Sequence, residues 1–473
     1  MAVALRGRFI HGTATPGILE LVSDGLIVVD DSGIIATFLT DTAAVDAFIA
    51  ANPALVINKM QPQEFCVPGM IDTHVHAPQY QFTGTATDLP LMQWLQAYTF
   101  PAERRCADTD LARGVYESLV ARLLSHGTTT AVYFASIHLE ATKALVDVCR
   151  DKGQRAFVGK VAMDQHGAEE YEETTEASLR DTELLINYCH ECEPTKDGAS
   201  RLVNPVVTPR FIPTCSPALL HGLGALAAKH RERGCWVQSH IAESIDEEAF
   251  VESLYPGKRD TAIFDEAGLL TDRCIMAHGV HLQPEEMDLI STRRSGIACC
   301  PLSNAFFAGG EFQMVEAQRH NVRVGLGTDV AGGYSPSLLV NCRHAVLSSK
   351  LLARKDASVE IDFKRAFWTA TLGGARALGL EDHLGSFAVG KQFDACVIAG
   401  GCGVYEPAVL NARAQVQQAS ASSSSSGKRK AAGADEADDP SLAAEFERWV
   451  NLGDDRNCRR VYVRGRVVHE SDL

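Results

Sequence analysis

Pro68-Gly-Met-Ile-Asp72-Thr-His74-Val-His76 reads as a β-strand that ends in two histidines two positions apart. Side chains alternate faces along a strand, so the imidazoles of His74 and His76 point the same way and offer two ligands to a borderline metal ion. Alone the pair decides little, since His-x-His arises on any exposed strand. Its setting gives it weight. From Phe65 to about Leu380, β-rich runs alternate with amphipathic stretches, the pattern of repeated βα units around a parallel sheet. Eight strands are expected: Phe65 to Ile71, Thr129 to Phe134, Arg155 to Val161, Val203 to Thr208, Trp236 to Ser239, Cys274 to Ala277, Gly296 to Cys299 and Val322 to Leu326. Between the first two, Leu111 to Ser125 carries a helical apolar stripe closed by Gly127. Eight units predict an α/β fold of the (β/α)8 TIM-barrel type; composition alone leaves a doubly wound open sheet as the alternative.

Other strand ends complete the histidine pair. The fifth run closes on His240 and is followed by Ile-Ala-Glu243; the sixth ends in Ala277-His278-Gly279, the eighth in Gly325-Leu-Gly-Thr-Asp329. Each singly reads as an ordinary polar residue. Together they put four histidines and an aspartate on one rim of one barrel, where barrel enzymes place their chemistry. That set predicts a catalytic metal centre. A bound zinc lowers the pKa of water from about 15.7 to about 7, which makes a nucleophile available at neutral pH.

The 473 residues, 46% of them hydrophobic, are enough for a large core and a smaller companion. Residues 1–64 and 384–473 hold Gly-punctuated β patterns, among them Leu26 to Val29 and Val461 to Val468, and are expected to form one small β-sandwich domain from both chain ends. The barrel then occupies 65–383. Within the second flank, about 415–440 reads as a disordered insertion, with Ser422 to Ser426, Lys428 to Lys430 and acidic residues from Asp435 to Asp439. Forty-four Lys and Arg against 60 Asp and Glu give a net charge of -16, which argues against nucleic acid and anionic membranes as partners. No 18-residue apolar run and no signal-peptide pattern is present, so a soluble cytoplasmic protein is expected, its fourteen cysteines reduced. Cys189 and Cys192 have CxxC spacing without a second pair, and read as chance spacing on a helix. Gly385 to Lys391 has phosphate-loop spacing, but Gln392 stands where Ser or Thr would bind magnesium, and a turn is expected.

The set HxH, His-Ile-Ala-Glu, His and Gly-Thr-Asp resembles the mononuclear zinc branch of the amidohydrolase superfamily, with no strand-end lysine to suggest the carbamylated two-metal branch. More narrowly, His74 to Tyr80, Asp88 to Leu95, Tyr98 to Glu103, Pro209-Arg210-Phe211 and Leu452 to Asn457 resemble the guanine deaminases. The likeness runs from about residue 65 to the end. It implies a barrel with a β domain from both ends, one Zn2+ per chain held by His74, His76 and His240 with Asp329 as a further ligand or close neighbour, guanine and water as reactants, xanthine and ammonia as products, and a homodimer. It implies Glu243 as the proton shuttle to the ring nitrogen, Asp329 as acceptor of the water proton and His278 as the residue that orients that water or stabilises the developing charge. It also implies a substrate site of His76, Ala77, Pro78, Gln79, Arg210, Phe211, His240, Glu243 and Asp329, with Gln79 and Arg210 on the purine's polar edge. Asp88 to Trp94 reads as ordinary core or as part of a wall. A related aminopurine, a triazine, or a binding role without catalysis are the competing readings.

Overall fold

In the computed structural model, which describes residues 3–195, 198–404 and 440–471, the long run from Phe65 is divided at Gly69. Glu64–Pro68 joins the sheet built from the chain ends, and Met70–His76 is the first barrel strand. The reading of Phe65 to Ile71 as one barrel strand is therefore corrected. Gly69 sits where a Cβ would lie 2.1 Å from Thr129 Oγ1, so the crossover passes too close to the second strand for any side chain.

Seven further strands follow in parallel: Thr128–Phe134, Arg155–Gly159, Val203–Pro209, Trp236–Ile241, Cys274–His278, Gly296–Cys299 and Arg323–Leu326. They are buried along almost their whole length, polar residues such as Thr208, Gln238 and Ser239 included. The ring is nearly closed by contacts between its last and first members. Thr73 Oγ1 donates to Leu326 O at 2.8 Å, Asp329 N to His74 O at 2.9 Å and His76 N to Val330 O at 3.0 Å.

Helices return each strand to the next. Thr109–Ser125 starts at Asp108, whose carboxylate accepts from the Asp110 and Leu111 amides, and Thr175–Cys192 carries both cysteines of the CxxC spacing. All fourteen cysteines are unpaired thiols.

The two chain ends are hydrogen-bonded into one eight-stranded sheet, mostly antiparallel. Its order is Arg466–Glu470, Cys458–Val463, Ala395–Ala399, Glu64–Pro68, Val3–Gly12, Leu19–Val29 and Ile35–Leu39, with Ile57–Lys59 beside Val3–Gly12. Val461 to Val468 is a hairpin whose turn residues Arg464 and Gly465 both have positive φ, as a two-residue hairpin loop requires. Most of the expected insertion at 415–440 lies outside the described residues, the Lys428 to Lys430 run included; the chain is described again from the helix Pro440–Leu452. Leu452 to Asn457 caps that helix and starts the next strand, far from the barrel rim: Arg343 Nε donates to Val450 O at 2.8 Å and Asn457 Nδ2 to Ala399 O at 2.9 Å. Lys391 of the phosphate-loop spacing has its ammonium on Leu384 O at 3.3 Å and Ser386 Oγ at 2.8 Å, in a turn as expected.

No helix among the described residues is long and apolar enough to cross a membrane.

Candidate metal centre and substrate pocket

The first strand delivers His74 and His76 to one side, with ring centroids 4.8 Å apart. Asp72, two residues earlier on the same face, points to the barrel seam. Its Oδ1 accepts from Thr328 N at 2.9 Å and its Oδ2 from Thr328 Oγ1 at 2.6 Å, tying the histidine strand to the loop that carries Asp329. Asp329 has φ 48° and His278 φ 71°, so two non-glycine residues of the rim are held in the left-handed region. Gly327 permits the approach: a Cβ there would lie 2.8 Å from the His74 Cβ.

His240 ends the fifth strand. Its Nδ1–H donates to Arg210 O at 2.6 Å, so in the neutral ring Nε2 is the lone-pair nitrogen. That nitrogen faces His76 Nε2 at 3.1 Å. His74 Nε2 lies 3.0 Å and His76 Nε2 3.5 Å from Asp329 Oδ1. His74 Nε2 and His76 Nδ1 are buried without a hydrogen-bond partner. Burial, reinforced by neighbouring positive groups, holds His74, His76 and His240 well below the usual imidazole range, in the neutral form a metal needs. Converging lone pairs, an unpartnered Nε2 and an adjacent carboxylate fit a divalent cation: His74, His76 and Asp329 place their ligand atoms within 4.8 Å of one another. Lys160, which follows the third strand, gives its buried ammonium to Glu173 Oε2 at 2.6 Å and stands outside this set.

Glu243 is placed by the start of the next helix. Ser244 is its N-cap in a reciprocal box with Glu247, and Glu247 Oε2 also accepts from Glu243 N at 2.7 Å. Burial, then the charges of Asp329 and Asp246, push the Glu243 carboxyl well above its usual range. His278 Nε2 lies 3.5 Å from Glu243 Oε1 and 3.8 Å from Asp329 Oδ2. Its Nδ1 is bonded to Asn304 Oδ1 at 3.0 Å. Burial lowers the His278 pKa against the opposing pull of Asp329, and raises that of Asp329 against the pull of His278.

Beside the centre is a cleft of about 390 Å³ lined by His76, Gln79, Arg210, Phe211, His240, Glu243 and Asp329 together with Leu91, Trp94, Leu95, Ser303 and Phe307. Ala77 and Pro78 are buried in the 3-10 turn Ala77–Phe82 that carries Gln79, and do not line it. His74 and His278 lie behind it in the metal cluster. Arg210 Nη1 and Nη2 donate to Glu103 Oε2 and Oε1 at 2.6 and 3.1 Å, and Gln79 Nε2 donates to Glu103 Oε1 at 3.0 Å.

The amidohydrolase family model matches residues 65–468. Over 473 residues, 99% of this chain and 97% of the relative, the chain is 41% identical to guanine deaminase of Rattus norvegicus. Over 409 residues, 85% and 83%, it is 35% identical to guanine deaminase of Escherichia coli (strain K12). A solved structure of guanine deaminase from C. acetobutylicum with bound guanine in the active site superposes with a TM-score of 0.82 at 30% identity, covering 99% of this chain and 100% of that one. The chain belongs to the amidohydrolase family and, within it, to the guanine deaminases.

In this amidohydrolase the wall is more extensive than sequence reasoning expected. Trp94 and Phe307 stand 4.9 Å apart between ring centroids and, with Leu91 and Leu95, form an apolar side of the cleft, so Asp88 to Trp94 contributes wall as well as core. Glu103, Ser303 and Asn304 received no role from sequence. Glu103 was within reach: it ends the quoted Tyr98 to Glu103 motif, and a carboxylate in an apolar segment next to Phe100 needs a buried partner.

Proposed function

We propose that the chain hydrolyses guanine at C2 to xanthine and ammonia, holding one Zn2+ on His74, His76 and His240 with Asp329. The convergence of His76, His240, Asp329 and Glu243 on the cleft that also holds Arg210 and Gln79, with His74 directly behind it, carries this reading. When bound, the divalent ion supplies the acidity that makes water a nucleophile at neutral pH.

The protein's own groups do the rest. Arg210 and Gln79 present N–H donors to the purine's 6-oxo edge, while Leu91, Trp94, Phe211 and Phe307 exclude bulk water from the ring. Asp329 accepts the proton of the attacking water at a carboxylate oxygen. Glu243 gives its proton to the ring nitrogen beside C2; the proton held by Asp329 then passes to the amino group, which leaves C2 as ammonia, and the C2 hydroxyl proton returns to Glu243 as the carbonyl forms. His278, with Nδ1–H on Asn304, keeps Nε2 free to accept from that water and hold its orientation. Arg210 serves both halves of the site, since its carbonyl fixes His240 and its guanidinium meets the substrate.

We also infer two domains, 1–68 with 384–473 and 69–383, a homodimer, and work in a reducing compartment such as the cytoplasm, in keeping with fourteen unpaired thiols. Ammonia release from metal-quantified protein given guanine, adenine, cytosine and a triazine tests the activity. Guanine turnover with about one zinc per chain is expected from a three-histidine catalytic site; turnover of another ring with guanine inert would reassign the substrate.

A further inference from the structure

Glu103, on the short helix Phe100–Arg104, is fully buried and stands behind the cleft rather than in its lining. Its Oε1 accepts from Arg210 Nη2 at 3.1 Å and Gln79 Nε2 at 3.0 Å, its Oε2 from Arg210 Nη1 at 2.6 Å and Tyr171 OH at 2.8 Å. A carboxylate offers about four lone-pair directions, so these four donors fill it. Glu103 has nothing left for a substrate, and is no catalytic residue. Its effect falls on the two side chains it holds. The Gln79 amide is fixed at both ends, Nε2 on Glu103 and Oε1 on Ala331 N at 3.2 Å. Flipping that amide would turn a carbonyl oxygen on a carboxylate. Arg210 lies with its Cζ 4.9 Å from the Phe100 ring centroid, so its plane is fixed by stacking as well as by the paired hydrogen bonds.

We propose that Glu103 is a specificity-determining positioning residue: by accepting from Gln79 and Arg210 together, it fixes the Gln79 amide so that its free N–H faces the cleft and holds the donor-only Arg210 guanidinium beside it, so the site selects a ring edge of acceptors and rejects one bearing an amino group there. The inference rests on the guanine reading above and says which residue enforces its choice of edge. A 6-oxo group meets donors; a 6-amino group at the same place sets donor against donor and leaves buried polar groups unpaired. The remaining Gln79 amide hydrogen and the Arg210 donors not spent on Glu103 are those available to the substrate.

Replacing one Glu103 oxygen by NH2 breaks the device in a definite way. On the Oε1 side the new donor meets Gln79 Nε2 and Arg210 Nη2; on the Oε2 side it meets Arg210 Nη1 and Tyr171, whose hydroxyl can rotate to accept. Either placement costs Arg210 a partner, and the first favours a flipped Gln79 that shows its carbonyl to the cleft.

The test compares kcat/KM for guanine and for 2,6-diaminopurine, which keeps the 2-amino group but carries an amino group at position 6, in zinc-loaded wild type, Glu103→Gln, Glu103→Asp and Tyr171→Phe. Glu103→Gln is expected to lower guanine kcat/KM by about 100-fold or more and to shrink the guanine to diaminopurine ratio by at least about tenfold, at unchanged zinc content. Glu103→Asp, which withdraws the carboxylate by one methylene, should move the ratio the same way. Tyr171→Phe removes one donor without touching Gln79 or Arg210, so its ratio should stay within about threefold of wild type. A wild-type ratio in a folded, zinc-loaded Glu103 variant, or a Tyr171→Phe ratio that collapses, overturns the clamp. Wild type inert on guanine instead overturns the proposed activity, and the two failures are told apart by that first measurement.

Discussion

Asp72 does not line the cleft, yet its two carboxylate oxygens join the strand of His74 and His76 to the loop of Asp329 through Thr328. Burial raises the pKa of this carboxyl to about 7, against the opposing hydrogen bonds from Thr328. Asp72→Ala orphans the Thr328 amide and hydroxyl at a cost of about 1–3 kcal/mol each, and by analogy with other outer-shell ligands should weaken metal binding by about 10–100-fold. A chelator competition titration reads this; zinc affinity equal to wild type would show that Asp329 is positioned without Asp72. Glu243→Gln makes the opposite split. The amide cannot deliver a proton, so kcat should fall by about 100-fold to 10,000-fold while zinc content holds; loss of zinc would make Glu243 a ligand. At this scale His74, His76, His240 and His278 were legible because each lies at or next to the end of a strand, and Asp329 because it stands just past one; strand ends in a barrel share a rim. Glu103, Asn304 and the role of Asp72 were not, because their partners are distant in sequence: Arg210 lies 107 residues from Glu103, and Thr328 lies 256 from Asp72.

Secondary-structure elements explain both the successes and the miss. The last seven strands were readable from short β-rich runs recurring between amphipathic stretches, the pattern of repeated βα units. The first was misplaced because Phe65 to Ile71 is one largely apolar run serving two sheets, and its dividing point is marked only by Pro68-Gly69. The same reasoning makes Gly327 critical. Its missing Cβ would stand 2.8 Å from His74 Cβ and 3.0 Å from Cys300 Sγ, between the first and eighth strands. Gly327→Ala should cost about 1–3 kcal/mol by overpacking and displace His74, so zinc per chain should drop in protein that remains folded. Full occupancy with normal melting would mean the strands separate without disturbing the ligands. On the opposite side of the cleft, Trp94 and Phe307 belong to or adjoin the π-helical turns Leu95–Thr99 and Asn304–Ala308, a wider coil that the 3.6-residue period does not reveal. Wall contacts act on substrate and transition state alike. Trp94→Ala should raise KM for guanine about tenfold with kcat changed less than about threefold, and a fall in kcat alone would make Trp94 part of the chemistry.

Across the whole molecule the two sheets are joined at the end of the barrel opposite the metal centre. Arg155 opens the third barrel strand, fully buried, and its Nε donates to Asp394 Oδ2 at 2.9 Å, with Nη2 on Gln392; both partners precede the end-sheet strand Ala395–Ala399. Asp394 also accepts from Arg464 N at 2.8 Å, in the turn of the last hairpin. One buried guanidinium thus ties the barrel floor to segments more than two hundred residues away, a connection that neither flank's β pattern displays. Arg155→Met preserves much of the side chain's bulk but leaves the Asp394 carboxylate buried without its cation. Removing one partner of a buried pair costs about 3–5 kcal/mol, because the remaining charge is uncompensated. The penalty belongs to folding and not to chemistry, since Arg155 begins its strand and the ligands lie where the strands end. Urea unfolding of the zinc-loaded protein should therefore show a midpoint well below that of wild type, while guanine kcat/KM at 25 °C stays within about twofold of it, the barrel rim being untouched. Normal stability with impaired turnover would reverse the argument, making the junction a route by which the end sheet positions the catalytic rim.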